Sequence, residues 1–194
     1  MMKSIAVFCG SSNGASKVYI ENAIKLGREL VKRDITLIYG GASVGVMGAV
    51  ADAVLNEGGR VVGIMPAFLE QREISHKRLS KLIIVDSMHE RKAKMAEFAD
   101  GFVALPGGPG TLEEFFETFT WAQLGLHQKP CGLLNINEYF DPLIELFNHM
   151  TKEQFLQKKY RSMALVDKEP SQLLDKFISY EPPTIKTYIN KNQI

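Results

Sequence analysis

The residues of this chain whose types and spacing could do chemistry lie around one glycine-rich run, Pro106-Gly107-Gly108-Pro109-Gly110-Thr111-Leu112-Glu113-Glu114. The run follows an apolar segment, 102–105, that reads as a buried strand. It leads into Leu112, Phe115, Phe116 and Phe119, which recur at helical spacing. Glycines at a strand-to-helix turn leave backbone N–H groups free, and with the helix dipole these favour an anion such as phosphate. A carboxylate there repels a phosphate, so Glu114 needs a reason for its place. Two reasons fit. Thr111 and Glu114 match a capping box, with Thr111 as N-cap and Glu114 at the third helical position. Alternatively, the glycines admit a nucleotide, and the carboxylate orients a water or stabilises a cation developing at a sugar carbon.

A second group of ionisable residues precedes it. The spacing predicts a helix over 87–99 whose apolar face centres on Met88, Met95 and Ala99. Arg91 and Lys92 flank that face, each within about 60° of its centre. Glu90, Lys94 and Glu97 fall on the solvated side, with Glu90 and Lys94 spaced for a surface pair. The two cations either lay their stems over apolar surface and reach water, or point into a cleft and meet anions. In the second case Arg91 offers a planar fork to a carboxylate or phosphate.

These residues must be carried by regular elements. Short apolar runs at 5–9, 36–39, 61–65, 82–85, 102–105 and 131–134 read as strands. Amphipathic stretches at 15–32, 44–56, 87–99, from Thr111 and at 139–150 read as helices. This alternation predicts an α/β protein, a Rossmann-like doubly wound parallel sheet with helices on both faces. Residues 163–166 and 171–178 suggest one more strand and helix. The stretch 66–81, with Glu70, Arg72, Glu73 and His76, reads as an irregular polar loop. The whole chain, 1–194, reads as one nucleotide-binding domain, with 181–194 a tail that frays or packs on another subunit. In such folds ligands bind beyond the carboxyl ends of the strands, near a reversal of strand order. Two further glycine-rich loops fall at strand ends, Gly10 to Gly14 with Ser11, and Gly40-Gly41 with Gly45 and Gly48. Three such loops at one sheet edge point to a shared phosphate or nucleotide site. None is a G-x-G-x-x-G fingerprint after the first strand or a Walker loop, which disfavours hydride transfer and P-loop chemistry.

Composition narrows the partners. The net charge is +1 over 194 residues, so neither a nucleic acid polymer nor a membrane surface is expected. No stretch reaches transmembrane length and no signal peptide is apparent. Cys9 and Cys131 read as buried free thiols in a reducing compartment, which places the protein in the cytoplasm. The four histidines lack ligand spacing, so no metal site is expected.

The pattern Pro106-Gly107-Gly108-x-Gly110-Thr111-x-x-Glu114, preceded by Met88-His89-Glu90-Arg91-Lys92, resembles the LOG ("lonely guy") family of cytokinin riboside 5′-monophosphate phosphoribohydrolases. The loop at 40–48 and the segment 120–125 look like the same family, and the likeness runs over about residues 3–150. It implies a homodimer or larger assembly that hydrolyses the N-glycosidic bond of a purine nucleoside 5′-monophosphate, with no cofactor. It implies Arg91 and Glu114 as the catalytic pair, and substrate contacts from Gly107, Gly108, Pro109, Gly110, Thr111, Leu112 and Glu113. Lys92, Thr120 and Glu73 match further substrate positions, with Ser11, Gly40, Gly41 and Met88 as additional candidates. His76 stands where the family often has glycine. Members have also carried the label lysine decarboxylase, for which this sequence offers no pyridoxal-phosphate argument. A general AMP nucleosidase and a non-enzymatic carrier of a nucleotide or pterin cofactor are the rival readings.

Overall fold

The structure is a computed structural model describing residues 2–70 and 75–184. Seven parallel strands form one sheet: β1 (Ser4–Phe8), β2 (Thr36–Tyr39), β3 (Val61–Pro66), β4 (Lys81–Val85), β5 (Phe102–Ala104), β6 (Cys131–Leu134) and β7 (Ala164–Asp167). Their spatial order is β4-β3-β2-β1-β5-β6-β7, and every recorded pairing is parallel. The expected doubly wound architecture is therefore present. Parallel strands bury both faces, which is why these segments read as unbroken apolar runs.

Among the described residues, eight α-helices accompany the sheet: α1 (Val18–Lys32), α2 (Gly45–Asn56), α3 (Ala67–Glu70), α4 (Met88–Phe98), α5 (Pro109–Gln123), α6 (Asp141–Lys152), α7 (Lys158–Arg161) and α8 (Pro170–Ile178). Leu26, Leu30, Val50, Val54, Leu173 and Phe177 of α1, α2 and α8 pack on one face. Met95, Phe115, Phe119 and Phe147 of α4, α5 and α6 pack on the other. The weakly patterned C-terminal region thus supplies a seventh strand and a covering helix. Arg33 at the end of α1 binds Asp175 of α8 at 2.7 Å.

Three expectations are corrected. The 66–81 loop is not wholly irregular: α3 opens it, and Ser75 forms a bridge with Ala42. Met88 does not centre the buried face of α4. It sits exposed in the first turn, while Met95 and Ala99 are buried. Glu90 does not pair with Lys94. It turns back to the helix start, where its carboxylate accepts from the Asp86 N–H at 2.9 Å and its own N–H donates to Ser87 Oγ at 3.1 Å. Lys94 binds Glu97 instead.

Candidate active site

Strand order reverses between β1 and β5, so the chain segments leaving them diverge and open a crevice. Its volume is about 340 Å³, and it is lined by the 10–14 loop, the 106–108 turn, Tyr19, Val46 and Tyr139. Ser11 lies on its wall. Backbone bonds tie the loops around it together: Gly10 N–H donates to Pro106 O, Val46 N–H to Ser12 O and Met47 N–H to Gly10 O. A side chain at Gly45 would strike the Ser11 backbone. Two first-turn donors of α2, those of Val46 and Met47, are therefore spent on the neighbouring loop. Of the three glycine-rich loops expected to share a phosphate or nucleotide site, this one uses Gly45 and Gly48 for close backbone packing. Gly41, at φ +84°, packs on Met65 and Leu82 and accepts from the His76 N–H.

The third loop is different. Gly108 is the N-cap of α5, Pro109 its first residue and Gly110 its second. Proline suits that first position because its missing N–H would have had no helical partner. The capping box expected between Thr111 and Glu114 is consequently absent. Thr111 is already inside the helix, its hydroxyl against Gly107, and Glu114 lies in the second turn with its side chain buried. The box chemistry occurs at Ser87 and Glu90 instead. Gly107 must be small, since a side chain there would strike Thr111 Oγ1 and the Gly10 nitrogen. Gly108 and Gly110 face open space within 4 Å and lie outside the positive-φ region. Among the described residues, no protein acceptor takes their N–H groups. Nothing within the fold requires glycine at either position.

Beside this turn, Arg91 Nη2 of α4 lies 3.2 Å from Glu114 Oε1 of α5, with side chains only 9% and 8% exposed. Arg91 and Lys92 thus meet anions rather than water. The guanidinium rests against Gly40, where any side chain would overlap it. Arg91 Nε is buried without a hydrogen-bond partner among the described residues. Burial raises the pKa of Glu114; Arg91 opposes that shift and Glu113 adds to it. The buried Cys9 thiol is raised too, first by burial and then by Glu114. Lys92 is held at 2.6 Å from Glu113 and 3.1 Å from Glu117. Burial lowers its pKa, but those hydrogen bonds win and the net shift is upward.

Other candidates fall at varying distances from the pair. Met88 Sδ lies 3.9 Å from Arg91 Nη1. Leu112 packs on the core. Thr120 is exposed and nine residues beyond Thr111, about 14 Å along α5, so the structure does not bring it to the glycine turn. Glu73 lies outside the described residues. Ser12, Asn13 and Val46 lie in the glycine-rich loops to which the sequence pointed, whereas Tyr19 and Tyr139 were not singled out; Tyr139 follows the glycine run at long range and belongs to no local motif.

Two outcomes follow from this geometry. Gly110→Ala should leave the melting temperature unchanged or raise it, because alanine is the better helix former by up to about 1 kcal/mol. It should weaken nucleotide binding by about ten-fold or more if a phosphate sits over that residue; calorimetric titration beside a thermal melt checks both. The second outcome concerns pH. If ionised Glu114 is needed, the acid limb of kcat/KM should lie above its ordinary value near 4.5. A raised carboxyl pKa favours folding below that ordinary value and loses the contribution as pH rises through the folded pKa. Wild type should therefore gain stability over a Glu114→Gln variant as pH is lowered through the raised pKa towards 4.5, measurable by paired melts.

The fold and site define a class: a doubly wound α/β protein with a buried acid–arginine pair beside an open glycine turn at a helix start. Comparison with known proteins narrows this class. Residues 47–177 match the family model described as "Possible lysine decarboxylase". A probable cytokinin riboside 5′-monophosphate phosphoribohydrolase of Oryza sativa subsp. japonica is 47% identical, over 93% of this chain and 74% of that protein. The enzymes so named from Arabidopsis thaliana and Rhodococcoides fascians are 47% and 48% identical, over 93% and 86% of this chain and 83% and 85% of theirs. The chain belongs to the LOG family. Among solved structures, the molybdenum cofactor carrier protein of Chlamydomonas reinhardtii superposes with a TM-score of 0.69 at 20% identity, covering 93% of this chain and 100% of that one. A molybdenum cofactor binding protein of Rippkaea orientalis gives 0.68 at 21%, over 92% and 97%. At such identities the likeness concerns the fold alone.

Proposed function

We infer that this protein is an N-glycosyl hydrolase that releases the free base and ribose 5-phosphate from an N6-substituted adenosine 5′-monophosphate, a cytokinin riboside monophosphate. The relatives' shared activity supports the reaction. The observation that carries the site assignment is the pair of glycines, Gly108 and Gly110, open to solvent and beside a buried Glu114–Arg91 pair.

In this reading the phosphate docks on the free N–H groups at the start of α5, where the helix dipole favours negative charge. The ribose then lies towards Glu114. As the C1′–N9 bond breaks, its electron pair leaves with the base and positive charge develops on the sugar ring. The Glu114 carboxylate stabilises that charge or orients the water whose oxygen bonds C1′. Arg91 favours the ionised form of Glu114 against the cost of burial. Lys92 offsets part of the charge of Glu113 and Glu117, which would otherwise add more negative charge beside the phosphate.

We further propose that the chain acts as a single domain within a homodimer or larger assembly. Thr120, remote from its own turn, and the exposed Met88 and Phe98 of α4 fit a surface shared between copies. Two buried free thiols fit a cytoplasmic setting. No helix among the described residues is long and apolar enough to cross a membrane.

The test is to incubate the purified protein with AMP and with N6-isopentenyl-AMP and to follow free base by chromatography. Faster release from the isopentenyl nucleotide is expected. Equal or faster release from AMP would assign a general AMP nucleosidase, and tight binding without release would assign a carrier.

A further inference from the structure

Tyr139 lies outside the motif, yet its hydroxyl donates to the Gly107 carbonyl at 2.6 Å. That carbonyl and the Gly108 N–H belong to one trans peptide group, so they point in opposite directions. Glycine flanks this peptide on both sides. Rotating it requires only changes in the ψ of Gly107 and the φ of Gly108, which glycine permits at little steric cost. In one orientation the turn offers an N–H to an anion; in the other it offers a carbonyl oxygen, which repels one.

The segment that delivers Tyr139 is built at a conformational cost. Asn137 and Glu138 are successive non-glycine residues in the left-handed region, at φ +51° and +60°. Such strain persists only where surrounding structure holds it, and it gathers at functional positions. Here the holder is Asn135, only 3% exposed. Its side-chain amide donates to Asp141 Oδ1, and its side-chain oxygen accepts from the Phe140 N–H, both at 2.7 Å. The Tyr139 ring is fixed edge-on against Tyr19 and Phe140, with centroids at 6.0 and 5.1 Å.

We propose that Tyr139 is a positioning residue that locks the Gly107–Gly108 peptide with its N–H turned towards the substrate phosphate. The lock keeps the anion seat formed before the nucleotide arrives. The inference rests on the reading that this turn seats the phosphate, and the two can fail separately. Tyr139→Phe keeps the ring packing and removes the hydroxyl alone.

Two measurements on the full chain test it. In nitrogen-15-labelled protein without ligand, Tyr139→Phe should broaden or split the Gly108 amide resonance as the peptide samples both orientations; an unchanged sharp signal overturns the lock. In titrations, the variant should bind ribose 5-phosphate about ten-fold more weakly, the loss expected for one hydrogen-bonded contact, with adenine affinity unchanged. KM for the nucleotide should rise while kcat stays within about two-fold. Equal ribose 5-phosphate affinity in the two proteins, or parallel loss of adenine and ribose 5-phosphate, overturns the proposal. If wild type neither binds ribose 5-phosphate nor releases base, the assigned reaction fails, and the Gly108 signal still decides whether the lock exists.

Discussion

Glu114→Gln should bind nucleotide within about three-fold of wild type and release base at least about a thousand-fold more slowly, a loss of about 4 kcal/mol of transition-state stabilisation. Glutamine fills the same buried space and keeps an oxygen that can accept from Arg91, now 3.2 Å from the carboxylate. It cannot carry the negative charge that an oxocarbenium-like sugar needs beside it. In the proposed reading, phosphate docking uses backbone donors at the start of α5 and does not need that charge. Titration with N6-isopentenyl-AMP, alongside chromatography of released base, separates the two effects. A variant that still turns over at the wild-type rate would remove Glu114 from the mechanism.

Gly40→Ala should cost about a hundred-fold or more in kcat, although residue 40 carries no chemistry. The added methyl would overlap the Arg91 guanidinium, which rests directly on the Gly40 backbone. Gly40 is not among the positive-φ residues, so alanine meets no backbone strain. The obstructed atoms are the far end of a flexible side chain. Arg91 therefore moves and the fold survives. Glu114 is left buried beside Glu113 without its counter-charge, and its pKa, already raised by burial, climbs further. The signature is specific: the acid limb of the pH–rate profile should move up relative to wild type, while the melting temperature falls modestly. An unchanged pH profile would show that Arg91 does not govern the ionisation of Glu114.

Strand positions were legible because parallel strands are apolar on both sides. The segments 36–39 and 131–134 agree with the structure at both ends. Helix starts were harder. Ser87 with Glu90 and Thr111 with Glu114 share one spacing, yet only the first forms side-chain cap bonds. The distinguishing signal was Pro109, whose fixed φ and missing N–H suit the first helical position and draw the N-cap of α5 back by three residues, from Thr111 to Gly108. Glycines were legible as a group but not by purpose. Gly40, Gly45 and Gly107 make room for Arg91, Ser11 and Thr111, whereas Gly108 and Gly110 make room for nothing among the described residues. That distinction depends on what a side chain would meet in three dimensions. The role of Tyr139 was invisible for the same reason, since its contact with Gly107 spans an interval of 32 residues.

The knotting of α2 onto the 10–14 loop has a consequence for valency. Two helix starts approach the same sheet edge, but the donors of Val46 and Met47 already serve Ser12 and Gly10. At the start of α5, by contrast, the Gly108 and Gly110 N–H groups have no protein acceptor among the described residues. A nucleotide's first phosphate would therefore find open donors at α5, and an outer group reaching towards α2 would find two of that helix's donors already taken. On a chain with a net charge of +1, the choice of a phosphate would rest on such local donors rather than on overall attraction.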